Sequence, residues 1–226
     1  LSDSETIDLL AAEWNSLGFY LESHPIEKKK KEVRKMCGFF ISELETETHS
    51  QRVAGMLMHL NVRQGRKGRF AFATIDDSSG RLEISIWADI FDRHRGILKK
   101  GQLIVIEGMV EKDNYSLGAE KPTFKMVADR ILTFDEARNE YLKHIRISLD
   151  PDIVNVEEIA TGLKSLSNNQ AGSPVLISFL GKKAKADILL SKDYSFYVDD
   201  NSIQSLFNLC GKENVDLVYH SGSHVN

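Results

Sequence analysis

Hydrophobic positions along the chain change their spacing twice, near residue 49 and again near residue 135. In the first stretch Ile7, Leu10, Ala11, Trp14, Leu17 and Leu21 recur on one helical face, and Ser2 with Glu5 supplies a capping box. The pattern predicts an amphipathic helix that ends near His24, because Pro25 disfavours helical geometry in the residue before it. A second, highly charged helix is expected from Glu27 to Met36. Its run Lys28–Lys31 lies between Glu27 and Glu32, which favours a solvated face over a phosphate-binding patch.

From residue 49 the period becomes two. Residues 51–62 read as a long strand with Gly55 inside it, where a glycine marks a bulge or a sharp bend. Residues 63–69, RQGRKGR, read as a basic, turn-rich loop, followed by a strand over 70–76, a hairpin connection over 76–80 and a strand over 81–87. Ile90, Phe91, Ile97 and Leu98 set a helix across 88–101; strands at 102–113 and 123–132 follow, with a loop between them. Three strands, a helix and two strands is the order of a five-stranded OB-fold β-barrel, whose first strand must bend to pair on both sides.

The last stretch opens with a short helix from Asp135 to about Lys143, for which Thr133 and Glu136 supply a capping box. A strand over 144–149 and a helix over 156–166, capped by Asn155 with Glu158, come next. Residues 174–180 and 184–190 form a hairpin around Gly181 and Lys182, with a shorter strand at 194–198. A helix over 202–210, with Asp200 or Asn201 as cap and Gly211 as stop, precedes a strand at 214–219. This β-α-β-β-β-α-β order describes a small α/β domain. The expected chain is thus α+β and multidomain: a helical leader at 1–48, the barrel at 49–134 and the α/β domain at 135–226.

Charge sharpens that division. The overall net charge of −4 hides a barrel segment with 14 Lys and Arg against 10 Asp and Glu, while each flanking segment carries −4. A basic module between acidic ones keeps a nucleic-acid partner open despite a sequence pI near 6.0. Cys37 and Cys210 lack the spacing of a metal knuckle or a disulfide framework and read as reduced thiols. No apolar run approaches the ~18–20 residues of a membrane span, and the first residues carry no signal-peptide pattern. The expectation is a soluble, cytoplasmic protein with no membrane partner, and a start at Leu1 suggests a piece of a longer chain.

The sequence contains no nucleophile elbow, phosphate loop, dinucleotide fingerprint or HExxH motif. His220 and His224 stand close but have no Cys or carboxylate neighbour to complete a metal shell. Asp76 and Asp77, followed by Ser78, Ser79 and Gly80, fit a turn better than a pair of metal-binding carboxylates. No catalytic residue, metal or cofactor is expected. Single-stranded nucleic acid is the partner that the barrel segment suits. Arg63, Arg66, Lys67 and Arg69 follow the first strand, with Gly65 and Gly68 to give the loop freedom. Phe70 and Phe72 share a face of the second strand, Trp87 ends the third, and Lys112, Tyr115 and Lys121 would form the other wall of a groove. Cations would track phosphates and rings would stack under bases, at ~1–3 kcal/mol per base. Spacing leaves open whether the three aromatics stack or fill the barrel; the cations favour phosphate contact over solvation.

Three segments resemble the C-terminal part of the bacterial DNA polymerase III alpha subunit. LGFYLESHP at 17–25 is similar to the family's LGxYLxxHP segment ahead of its OB domain. Residues 53–87 resemble that domain's first strand, basic hairpin, [FM]xxxxxDxSG turn and third strand. FDEARNEYLKHIRISL at 134–149 is similar to the link from barrel to C-terminal domain. The resemblance implies a DNA-directed DNA polymerase, a nucleotidyltransferase, whose three catalytic aspartates and Mg2+ lie in a palm domain upstream of Leu1. This stretch would then be non-catalytic. Residues 1–48 would end the fingers-to-OB region, the barrel would contact single-stranded template DNA, and residues 135–226 would dock the tau subunit of the clamp loader. Other replicase subunits would join through the full-length protein; a short clamp-binding motif such as QxDMF is absent from this chain. Two other classes stay open, a tRNA anticodon-binding module of a synthetase and a pure protein-interaction scaffold.

Overall fold

Five strands with apolar inward positions close into a barrel in the computed structural model, which describes residues 25–45, 49–112, 124–150, 155–167, 172–181 and 185–220. The helix expected around Ile7 to Leu21 lies outside the described residues. Ahead of the barrel, a 3-10 turn at Pro25–Lys29 runs into helix α1, Lys30–Cys37, so the regular helix is shorter than the expected Glu27–Met36. Gly38, at a left-handed φ of 88°, ends it.

The barrel strands are β1 (Gln51–Gly65), β2 (Gly68–Asp76), β3 (Arg81–Ile86), β4 (Leu103–Lys112) and β5 (Phe124–Thr133), closed in the order β1-β2-β3-β5-β4. All neighbours are antiparallel except β3 and β5. Closure depends on β1 serving two partners, β4 along Gln51–Met56 and β2 along Met56–Gly65. The irregularity falls between Leu57 and His59, two residues beyond the expected Gly55. Gly55 instead permits a close approach, because β1 crosses the end of β2 there, and a Cβ would stand 3.1 Å from the Ile75 side chain and 3.2 Å from the Asp76 backbone. Leu57, Ile75, Ile84, Ile104, Ile106 and Met126 fill the interior. Helix α2 spans only Ala88–His94, not 88–101; Leu98 is buried from the turns that follow.

The turn between β2 and β3 is a knot of hydrogen bonds. The buried Asp77 carboxylate accepts from the backbone N–H groups of Ile41, Ser79 and Gly80 at 2.8, 2.9 and 3.1 Å and from the Ser79 hydroxyl at 2.7 Å. Asp76 accepts from the Ser78 N–H and from Arg81. These carboxylates serve the turn, as their Ser-Ser-Gly context indicated.

Contacts divide the chain after Phe134, and Asp135–His220 forms a second unit. Its elements are α3 (Phe134–Tyr141), β6 (Leu142–Leu149), α4 (Val156–Leu166), β7 (Val175–Leu180), β8 (Lys185–Leu189), α5 (Asp200–Cys210) and β9 (Val215–Tyr219). The sheet order is β8-β7-β6-β9, with β6 and β7 parallel across the α4 crossover. Asn155 caps α4, accepting from the Glu157 and Glu158 N–H groups. Three expectations need correction. The helix expected over Asp135–Lys143 starts at Phe134, directly after Thr133 ends β5, and stops at Tyr141. The strand expected at 194–198 is a 3-10 turn, Lys192–Tyr194, and a single bridge from Phe196 to Ser173. Val198 donates its N–H to Asn139 Oδ1 at 2.7 Å and its carbonyl accepts from Asn139 Nδ2 at 2.9 Å, so a side chain takes the place of a neighbouring strand. The α5 cap is Asp199, not Asp200 or Asn201; it accepts from the Ser202 N–H while the Ser202 hydroxyl donates to the Asp199 carbonyl.

Candidate nucleic-acid interface

Strand β2 decides which aromatics face outward. Ala71, Ala73 and Ile75 share one face and are fully buried, so Phe70 and Phe72, on the other face, stand half-buried on the barrel exterior. Small residues inside and large rings outside answer the question left open by spacing. Trp87, directly after β3, is 50% exposed. Its ring lies 5.9 Å from that of Phe70 at a 37° tilt, and Phe70 meets Phe72 edge-on at 5.7 Å. The three rings form a continuous outer stripe across β2 and the end of β3.

Cations edge that stripe. Arg63 is paired with Phe70 in the β1–β2 register, and its guanidinium lies 5.5 Å from the centre of the Phe72 ring. The expected seven-residue loop is a two-residue tip: β1 runs through Gly65 and β2 begins at Gly68, leaving Arg66 and Lys67 to make the turn. Gly68 holds φ at 121°, which a side chain would strain. Arg69 is engaged by α2, with its guanidinium 5.9 Å from the Phe91 ring and 3.9 Å from Asp92. Lys112 is exposed at the end of β4 opposite Phe124, while Tyr115 and Lys121 lie outside the described residues. Arg63, Arg66, Lys67, Phe70, Phe72 and Trp87 are therefore gathered on one surface, and Arg69 borders it.

Between the hairpin tip and the start of α2 opens a cleft of about 680 Å³. Arg66, Lys67, Phe70, Trp87, Ala88 and Asp89 line it. Asp89 lines the cleft without having been a candidate in the sequence, where only its place directly after Trp87 and Ala88 pointed to it. Among the described residues no three His, Cys, Asp or Glu side chains gather to hold a metal ion. No described helix is long and apolar enough to cross a membrane. The surface thus combines half-buried and exposed ring faces with guanidinium and ammonium groups.

A closed five-stranded barrel with such a face defines an OB-fold module, and residues 51–133 match the family described as the OB-fold nucleic acid binding domain. Its homologues are DNA polymerase III alpha subunits. The Pseudomonas aeruginosa subunit is 32% identical over 93% of this chain, and the Haemophilus influenzae subunit is 29% identical over 93%. The subunit of Escherichia coli K12 is 28% identical over 93%. The chain spans 18% of the length of each of these relatives.

Proposed function

We propose that the chain is a non-catalytic segment of a replicative DNA polymerase, in which the barrel holds single-stranded template DNA. The observation that carries this reading is the outward stripe of Phe70, Phe72 and Trp87 beside Arg63, Arg66 and Lys67. Homology to DNA polymerase III alpha subunits supplies the replicative context. Nucleotidyl transfer, with its aspartates and Mg2+, belongs to the rest of such an enzyme; nucleotide incorporation by this chain alone would overturn that assignment. Residues 135–226, which carry a net charge of −4, serve protein docking, with the clamp-loader tau subunit as the partner implied by the family resemblance. Co-elution of the chain with tau tests that role.

The DNA reading is tested by fluorescence anisotropy of a labelled single-stranded oligonucleotide across a salt series. The parent is compared with a variant changed to Ala at Arg63, Arg66, Lys67 and Arg69. Each lost phosphate contact flattens the slope of log affinity against log salt by ~0.7 for single strands. A shallower slope in the variant supports the reading, and equal binding by both proteins overturns it. The matched family extends to anticodon-binding modules, so a folded RNA loop serves as competitor; displacement of the DNA by that loop at lower concentration would favour an RNA partner.

A further inference from the structure

Strand β8 forms one edge of the sheet in the second unit, and among the described residues no strand lies beyond it. The Leu190 N–H donates to the Val175 carbonyl at 2.9 Å, and this bond sets the phase of the β7–β8 ladder. Backbone groups in an antiparallel pair alternate in direction, so Ala186 and Ile188 turn theirs to β7 while Lys185, Asp187 and Leu189 turn N–H and C=O outward. Every residue of β8 is exposed. Ile188, 47% exposed, shares a face with the buried Ile177; Leu189, 64% exposed, lies on the opposite face with Leu176. Each flank of the edge thus carries an apolar side chain. The Ile188 flank also adjoins an apolar cleft of about 190 Å³, lined by Val156, Ile159 and Leu163 of α4 and by Ile177, Phe179 and Ile188.

An edge with free hydrogen-bonding groups and apolar flanks is a template for another strand, and proteins commonly blunt such edges with charge, proline or a bulge. In β8 only Lys185 and Asp187 are charged, and the Asp187 carboxylate is engaged by the Ser178 hydroxyl at 2.6 Å. We infer that β8 is an interaction surface that takes an extended segment of a protein partner as a fifth strand, with an apolar side chain of that segment beside Ile188 at the cleft. Charge selects the kind of partner. Residues 135–226 hold 9 Lys and Arg against 13 Asp and Glu, so a second copy is repelled and a segment flanked by Lys or Arg is drawn in. This assignment rests on the proposal that residues 135–226 dock a protein.

Amide hydrogen exchange of the isotope-labelled 226-residue chain, alone and with the purified tau subunit, tests the edge. The outward amides of Asp187 and Leu189 should exchange freely in the chain alone and slow by about tenfold or more once tau is bound. Asp187→Pro deletes one outward N–H without touching the ladder to β7, and should weaken tau binding about tenfold, the upper end for one net hydrogen bond. Asp187→Ala removes the carboxylate but keeps that N–H, and should bind tau as the parent does. Binding of tau with no protection at these amides, or equal loss in both variants, overturns the edge assignment while leaving docking in place. Protection that grows with concentration in the chain alone makes a second copy the occupant and overturns the partner. Failure of the parent to bind tau overturns the docking reading, and the strand addition with it.

Discussion

Cys37 ends α1 with its thiol sealed from water, and burial pushes its pKa from 9.0 up to about 12 against the pull of Arg52. Burial likewise pushes Cys210 from 9.0 to about 11. A raised thiol pKa means that the unfolded chain releases its proton first. The contribution to stability is therefore complete below pH 9 and is lost as pH rises toward 12. Urea unfolding of Cys37→Ala should show a flatter fall in stability above pH 9 than the parent; the same slope in both would contradict the burial argument. Nearby, Arg52 donates through Nε and Nη2 to Glu107 at 3.2 and 3.1 Å and through Nη1 to the Met36 carbonyl. Both ionic side chains are only 8% exposed. Replacing Arg52 alone by Met strands a buried carboxylate and should cost ~3–5 kcal/mol, whereas replacing both partners with apolar residues should cost far less. Equilibrium unfolding of the single and double variants distinguishes these outcomes. Gly108 sets a third constraint, because a Cβ there would overlap the Val127 carbonyl oxygen where β4 passes the irregularity in β5. Gly108→Ala should lower stability by ~1–3 kcal/mol in the same measurement.

At the scale of elements, the β1–β2 hairpin links fold to site, because its two-residue tip places Arg66 and Lys67 at the cleft. Gly68→Ala adds a methyl at a φ of 121°, 3.3 Å from the Ala88 Cβ, while removing no charge. It should cost ~1–3 kcal/mol of stability from backbone strain. It should also weaken DNA binding with little change in salt slope; a slope as shallow as that of the Arg and Lys variant would show that the tip acts through charge alone. The barrel strands were legible because alternation marks β2 and β3, continuous apolar runs mark β1 and β4, and their order leaves few topologies. The α4 cap was legible from Asn155 with Glu158. The extent of the hairpin was not: RQGRKGR looks like a loop by composition, yet Gly65 and Gly68 close a turn two residues wide. Residues 194–198 carry strand-like composition, but Asn139 satisfies the Val198 backbone from another element, which local pattern does not report. The direction of Phe70 and Phe72 had one clue, the shared parity of Ala71, Ala73 and Ile75. Period two defines two faces and leaves the buried one to tertiary packing. The cations and rings of the site were thus readable in sequence, whereas Asp89 enters only because the end of β3 and the start of α2 fold beside the tip.

Across the whole molecule, charge and core divide at the same place. Residues 49–134 carry 14 cationic against 10 acidic side chains, and residues 135–226 carry 9 against 13. The barrel closes its five strands on one another, and the second unit keeps its four strands in a separate sheet. Each unit also has an internal polar fastening. Asp77 ties the β2–β3 turn to Ile41 in the first; in the second, the buried Arg138 guanidinium bonds Asp200 at 2.9 Å and pairs with Asp135. Apolar burial supplies most of the stability of such units, while charge sets which one a polyanion approaches. Residues 25–134 and 135–220, produced separately, should each unfold cooperatively, because no strand of either sheet comes from the other piece. Single-stranded DNA should bind the first piece with the salt dependence of the whole chain, since the tip cations and the ring stripe lie within it. The second piece, acidic on balance, should show no salt-sensitive affinity. Comparable binding by residues 135–220 at low salt would relocate the contact away from the hairpin, and loss of binding by residues 25–134 alone would show that the barrel needs the second unit to hold DNA.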